Sequence, residues 1–378
     1  MEETAVNDLI AFRKELHQHP EVSQKEKETQ KRIIHFLNES GINGKPIGGT
    51  GVFVMFDSGR EGKTIMLRSD HDALPIQEIN NFEYKSLNDG VSHKCGHDGH
   101  TAIMCGVAKY FKENPISEGK LVLVFQPAEE NGEGAKAVLA DDQFDFEPDL
   151  VFAMHNLPGY PLHQVVIKDK NFTTAAKSII IKLSGKTSHA AEPELGINPA
   201  KAIAELIEMF ERESEPELNK DDFALASPVH INMGEKSYGI TAGYGEVHYT
   251  LRTWNSEVMK DFADRMVRRT EEIAENHQLK LDISWTEEFD SNNNHPAPME
   301  VIRKAIQANR FEYFERERPF KWGEDFGLFT QKFPGAMFGI GSGEDCPALH
   351  NPDYDFPDEI IQTGINMFTT IVEKAIDG

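Results

Sequence analysis

Leu9, Phe12 and Leu16 recur at helical spacing, which predicts an amphipathic helix over residues 4–18. A second helix is predicted over 25–39, with Ile33, Ile34 and Leu37 turned inward and Gly41 as its stop signal. His17 and His19, just ahead of Pro20, read as surface residues of the exit turn. Gly48-Gly49-Thr50-Gly51 precedes the apolar run 52–56, whereas a dinucleotide-binding loop follows its strand, so this stretch reads as a turn.

Three further apolar runs each end in residues that bind metals or move protons. The run from Thr64 leads into Asp70-His71-Asp72, the run 121–125 into Gln126-Pro127-Ala128-Glu129-Glu130, and the run 150–154 into His155-Asn156. In open α/β sheets the chemistry lies beyond the carboxyl ends of the strands, so all three are good addresses for a site. Period-two alternation puts Asp70 and Asp72 on one face and His71 on the other. Asp72 is thus a candidate for orienting a ligating imidazole, and His71 is assigned a structural or neutral role. Between the first two runs, Ile103, Val107, Ala108 and Phe111 mark the buried stripe of a helix over 100–111.

From about Ala176 the pattern changes. Strand 178–183, helix 198–213, strands 229–233 and 246–253, helix 257–275 and strand 279–285 follow in β-α-β-β-α-β order, the ferredoxin-like arrangement. Residues 177–292 therefore read as a smaller domain inserted into a main α/β domain formed by 1–176 and 293–378. The inserted domain presents His189 on a glycine-containing loop, where a substrate-clamping residue belongs. The Asn- and Pro-rich stretch 291–298 marks the return, followed by helices near 298–309 and 325–332, strand 336–340, the loop holding His350, and an amphipathic closing helix. Glu324 and Asp325 are either acids beside a site or a solvated helix start.

Composition narrows the class. The 378 residues predict two or three domains, and 39 basic against 63 acidic side chains give a net charge of −24. Such a surface repels phosphate backbones and anionic membranes, so neither nucleic acid nor a membrane is an expected partner. Residues 1–10 lack the basic and apolar regions of a secretory signal. Cysteines 95, 105 and 346 form no disulfide framework, which points to a reducing, cytoplasmic setting, and Cys105 reads as a small buried hydrophobe.

The chemistry is densest at Cys95-Gly96-His97-Asp98-Gly99-His100. A thiolate and an imidazole two residues apart suit zinc or a similar divalent ion, and the glycines let the backbone turn tightly. Glu129 and Glu130 can divide labour, one coordinating metal while the other serves as general base. His155 and His350 are further candidate ligands.

In order, Arg-Ser-Asp-His-Asp-Ala-Leu-Pro-Ile at 68–76, Cys-Gly-His-Asp-Gly-His-Thr at 95–101, Gln-Pro-Ala-Glu-Glu at 126–130, Met154-His155-Asn156, the His189 loop and Leu349-His350-Asn351 resemble the amidohydrolase branch of the two-metal aminoacylase and glutamate-carboxypeptidase superfamily. That branch includes hippurate hydrolases, auxin-conjugate hydrolases and N-acetyl-diaminopimelate deacetylases. The resemblance implies a metallopeptidase-like catalytic domain with a mixed central sheet flanked by helices, and an inserted ferredoxin-like lid and dimerisation domain. It implies two divalent metals held by Cys95, His97, Glu130, His155 and His350, with the thiolate bridging. Zinc is favoured by the donor set, and manganese, cobalt and nickel are alternatives. It further implies Glu129 as general base, His189 as oxyanion stabiliser, Arg252 as a substrate contact, and a homodimer acting on N-acyl amino acids to release a carboxylic acid and an amino acid. Two departures stand out: His71 replaces the branch's usual Met, and 237–243 lacks its usual Asn-containing segment. The competing readings are a dipeptidase or carboxypeptidase on the same metals, a metal-free hydrolase with Cys95 as nucleophile, and a metal-binding protein without turnover.

Overall fold

A computed structural model describes residues 3–377, so the outermost residues of the expected main domain, 1, 2 and 378, lie outside the described residues. The chain divides into two compact units, the first formed by 1–172, 292–319 and 324–378, the second by 173–291 and 320–323.

The first unit is built on an eight-stranded mixed sheet, in the order Lys45–Ile47, Gly51–Asp57, Lys120–Gln126, Thr64–Asp70, Leu150–Leu157, Gly335–Gly341, Val165–Ile167 and Tyr313–Glu315. Its four central strands, from Lys120–Gln126 to Gly335–Gly341, run parallel, and the Gly51 strand pairs antiparallel on their flank. The central strands are near-continuous apolar runs because helices shield the sheet; every residue of Leu150–Leu157 is buried. Helices Glu3–Gln18, His97–Glu113, Pro296–Asn309 and Ile360–Asp377 contribute to the same core, through Leu9, Phe12, Leu16, Ile103, Ile302 and Ile365 among others. Gly48 and Gly49, at φ +58° and +82°, turn the chain between Ile47 and Gly51 as expected of a hairpin.

The second unit is a four-stranded antiparallel sheet in the order Lys280–Phe289, Ala175–Ser184, Tyr244–Thr253, Ala224–Met233. Burial alternates along Tyr244–Thr253, so one face is covered and the other is open. The covered face packs against helices Ala200–Glu213 and Ser256–Asn276, with Phe210 stacked on Tyr249 at 4.1 Å between ring centroids. Asn255 starts the second of these helices by accepting the Val258 N–H at 2.8 Å. The β-α-β-β-α-β order read from the sequence is the observed one.

Three local expectations are corrected. The helix expected from residue 100 begins at His97, and the strand expected to stop at Met154 continues through His155 and Asn156. His17 is no surface residue: it is buried on the opening helix between the carboxylates of Asp98, at 2.8 Å, and Glu78, at 3.0 Å.

Candidate metal centre

The carboxyl ends of the parallel strands Thr64–Asp70 and Lys120–Gln126, the last residues of Leu150–Leu157, and the start of helix His97–Glu113 converge in the first unit. Gly96 leads into that helix at φ +91°, and a Cβ there would lie 2.6 Å from Asn156 Oδ1. A Cβ on Gly99 would lie 2.4 Å from the Phe356 ring. Both positions need glycine: the first to turn Cys95 and His97 toward one point, the second to seat the helix against the core.

Among the donor groups that result, two share Cys95, and a third, His97 with Glu129 and Glu130, overlaps them. The ligand atoms of Cys95, His97 and His155 lie within 4.8 Å of one another, and so do those of Cys95, Glu130 and His350. Cys95 Sγ is 3.5 Å from His155 Nε2, His350 Nε2 is 3.6 Å from Glu130 Oε2, and His97 Nε2 is 3.8 Å from Glu130 Oε1. Cys95, His97 and His155 are buried, while the His350 side chain is 51% exposed, leaving one side of the cluster open to solvent.

Hydrogen bonds behind the cluster fix which imidazole nitrogens face it. His97 Nδ1–H donates to the Asp72 carbonyl at 3.0 Å, with the Asp72 carboxylate at 3.2 Å, and His155 Nδ1–H donates to the Asn156 carbonyl at 2.8 Å. A carbonyl only accepts, so each ring carries a proton on Nδ1 and turns Nε2 inward as the nitrogen that would ligate a metal. Asp72 also accepts from the Glu130 N–H at 3.1 Å and from the Ser23 hydroxyl at 2.7 Å, tying two of the inward-facing residues to one carboxylate. Neither His97 Nε2 nor Glu130 Oε1, both buried, has a hydrogen-bond partner. Unpartnered buried ligand atoms facing a thiol are a donor set that a divalent cation satisfies.

The electrostatics agree. Burial pushes the Glu130 carboxyl up to about 8 against the opposing pull of His97. Burial, then the neighbouring carboxylates of Glu324, Glu130 and Asp325, hold Glu129 well above the usual range. The Cys95 thiol is raised by burial and by Glu130, Glu129 and Asp70. Burial disfavours a charged His97, yet Asp70, Asp72 and Glu130 overcome it and lift the ring to about 10, so the surroundings favour positive charge at Nε2, which a proton supplies in the metal-free protein and a metal ion would supply in its place. Negative charge is thus in excess around the inward-facing atoms, as in a pocket built for a cation.

Glu129 and the chain-distant acids Glu324 and Asp325 form a neighbouring trio, which Arg68 fills. The Arg68 guanidinium lies 2.9 Å from Glu324, 2.7 Å from Asp325 and 2.6 Å from Asp70. The two acids are therefore buried beside the site and are not a solvated helix start; the helix begins only at Gly327. Asp70 passes the network on to His100 at 2.6 Å. Arg68 and His100 sit inside motifs that the sequence singles out, but nothing in the pattern assigns them these partners.

His71 is buried, and burial pushes it down to about 4. It belongs to none of the donor clusters among the described residues and packs as a neutral ring. His189 lies on an exposed loop of the second unit, where its Nδ1 accepts the Ala191 N–H at 3.1 Å. The unusual segment 237–243 braces that loop: Thr241 N–H donates to the Ser188 carbonyl at 2.9 Å, and Ala190 N–H to the Gly239 carbonyl at 3.0 Å. Arg252 points from strand Tyr244–Thr253 to the Lys321 carbonyl at 3.0 Å.

Known proteins place this geometry in a family. An N-acetyl-L-cysteine deacetylase of Bacillus subtilis is 34% identical over 95% of this chain and 86% of its own length. An N-acetyldiaminopimelate deacetylase of Listeria innocua is 29% identical over 98% of this chain and all of its own. The crystal structure of a Bacillus subtilis dinuclear metal binding peptidase from the M20 family superposes with a TM-score of 0.85, covering 100% of this chain and 99% of that one at 27% identity. A model of peptidase family M20/M25/M40 matches residues 66–374, and the chain belongs to that family.

Proposed function

We propose that this protein hydrolyses the amide bond of N-acyl amino acids, releasing a carboxylic acid and a free amino acid, with two divalent metal ions held by Cys95, His97, Glu130, His155 and His350. The observation that carries this reading is the pair of donor groups sharing Cys95, in which His97 Nε2 and Glu130 Oε1 are buried without a hydrogen-bond partner among the described residues. Ions bound there supply Lewis acidity and make water acidic enough to attack an amide near neutral pH. A thiolate with imidazoles favours zinc, and manganese, cobalt or nickel suit the mixed site when available.

The side chains do the rest. Glu129 takes the proton from the attacking water and returns it to the departing amine. Asp72 orients His97 and anchors the Glu130 backbone. His189 donates to the oxyanion, and Arg252 contacts the substrate. The smaller domain acts as lid and dimer surface; the exposed Val229, Ile231 and Met233 on its outer strand Ala224–Met233 support self-association there. Three free cysteines accord with a cytoplasmic setting.

The decisive experiment is amino-acid release from a panel of N-acetyl, N-benzoyl and dipeptide substrates, before and after chelation and metal add-back. Metal-restored release from acylated amino acids is the expected result. Restored release from dipeptides alone moves the assignment to a dipeptidase. No release from any substrate with both metals bound overturns it.

A further inference from the structure

The loop 127–133, which carries Glu129 and Glu130 between strand Lys120–Gln126 and helix Gly134–Ala140, is not relaxed. Ala128, immediately before Glu129, has φ +51°, a left-handed conformation that residues with a side chain seldom adopt unless their surroundings hold them there. Three carboxylates from distant parts of the chain accept backbone N–H groups of this loop and its flank. Asp72 takes the Glu130 N–H at 3.1 Å, Asp325 takes the Ala135 N–H at 2.9 Å, and Glu26 takes the Ala128 N–H at 2.8 Å.

Asp72 and Asp325 also serve His97 and Arg68, so their burial has other causes. Glu26 has no such second office. It sits in the turn before helix Lys27–Glu39, is 0% exposed, and forms no ion pair among the described residues. Its other donors are the Gln24 N–H at 2.9 Å and the Thr50 hydroxyl at 2.7 Å. A buried carboxylate without a counter-ion is retained against its desolvation cost only by such donors, and the donor at the site is Ala128.

We infer that Glu26 is a positioning residue for Glu129: by holding the Ala128 N–H it fixes the left-handed turn that aims the next side chain. The inference rests on the reading of Glu129 as general base. Without Glu26 the Ala128 N–H is released, and what still holds the turn is the Gly134 N–H on the Ala128 carbonyl at 2.9 Å and the long contact of the Asp325 N–H to Glu129 Oε1 at 3.4 Å. The Ala128 backbone then shifts toward negative φ and the Glu129 side chain moves, whereas Glu130 stays tethered through its own N–H to Asp72. Loss of Glu26 therefore reduces proton transfer more than metal holding.

The test compares Glu26→Leu, Glu26→Gln and the double variant Glu26→Leu/Ala128→Gly with the unmodified protein. The readouts are kcat and KM for N-acyl amino acid release, metal content by elemental analysis, and thermal stability. Glu26→Leu is expected to lower kcat about a hundredfold, the scale of a misplaced catalytic group, with KM and two metal equivalents retained. Glu26→Gln, which keeps an oxygen to accept from Ala128, loses less. Glycine at 128 adopts positive φ without a side-chain penalty and is expected to restore roughly tenfold on the Leu background. A merely structural Glu26 gives no such rescue. An unchanged kcat, a loss that only tracks lost metal or lost fold, or no rescue by glycine overturns the inference. If the unmodified protein with both metals bound releases nothing, it is the hydrolase reading that fails. The crystal structure of Glu26→Leu then decides the positioning role: residue 128 still left-handed with Glu129 unmoved overturns it.

Discussion

The first turn of helix His97–Glu113 separates two buried polar clusters of opposite character. On one side stand Cys95, His97, Glu129, Glu130 and His155. On the other, Asp98 faces Arg13 and His17 of the opening helix. There Arg13 reaches Asp98 at 3.4 Å, Asp355 at 2.9 Å and Asp358 at 2.9 Å, while Lys94 closes on Glu78 at 2.6 Å. Each of these carboxylates faces a cation within the protein, and Asp98 is accordingly held far below the usual carboxylate range, in spite of its burial, by His17, His93 and Arg13. Around Cys95 the carboxyls of Glu129 and Glu130 are instead pushed upward. Cys95, His97, Glu129 and His155 on one side and Arg13, His17 and Asp98 on the other are all buried, so burial does not distinguish them. Unpartnered atoms do not distinguish them either, since Asp98 Oδ1 lacks a hydrogen-bond partner as His97 Nε2 does. Charge balance does: a cluster whose carboxylates each meet a cation is scaffold, and one with excess negative charge facing inward is built to receive a cation.

The largest predicted effects lie on the open side. Cys95→Ala removes the donor common to both groups, and elemental analysis is expected to find fewer than two metals per chain, with hydrolysis abolished. Glu129→Gln is the sharper variant: both metals stay while kcat falls by about 10²–10⁴-fold, the range of a lost general base. Because it removes an acid from a repulsive group, its metal-free form should melt no lower than the metal-free unmodified protein. Normal turnover by Glu129→Gln, or a marked drop in its metal-free melting temperature, breaks the contrast.

On the closed side the opposite is expected. Asp98→Ala leaves Arg13 and His17 buried without their shared partner, and breaking such a pair costs about 3–5 kcal/mol. Urea unfolding of the metal-free proteins measures this, and a cost below about 1 kcal/mol means that the cluster does not hold the opening helix in place.

The contrast was only half legible in the sequence. Apolar runs ending in Asp72, Glu130 and His155 stand out because strands of a parallel sheet are uninterrupted and the polar residues begin abruptly where the sheet ends. Cys95 and His97 stand out because two metal-ligand types two residues apart are rare. Arg13 and His17 do not, because periodicity reports the apolar stripe of Leu9, Phe12 and Leu16 and is silent on polar groups buried beside it. Their spacing of four along that helix was a signal that both share one face, but their partners Asp98, Asp355 and Asp358 are remote in the chain. Glu26 gave no signal at all: its role depends on the φ of a residue about a hundred positions away, and no local pattern encodes that.

The smallest effect tests the closed cluster through pH. Burial works against a charged His17, but Asp98 and Glu78 overcome it and raise the ring from 6.5 to about 9. A group whose pKa is higher folded than unfolded binds its proton more tightly in the folded protein, so its stabilisation is full below pH 6.5 and is lost as pH rises through about 9. The size is at most on the order of 3 kcal/mol, from a shift of that extent. His17→Gln keeps hydrogen-bonding capacity but does not titrate. The difference in unfolding free energy between the unmodified protein and this variant, measured metal-free, should therefore be largest below pH 6.5 and shrink toward pH 9. A difference that stays constant across this window means that His17 is neutral in the folded protein and that the cluster around Asp98 is held by Arg13 alone.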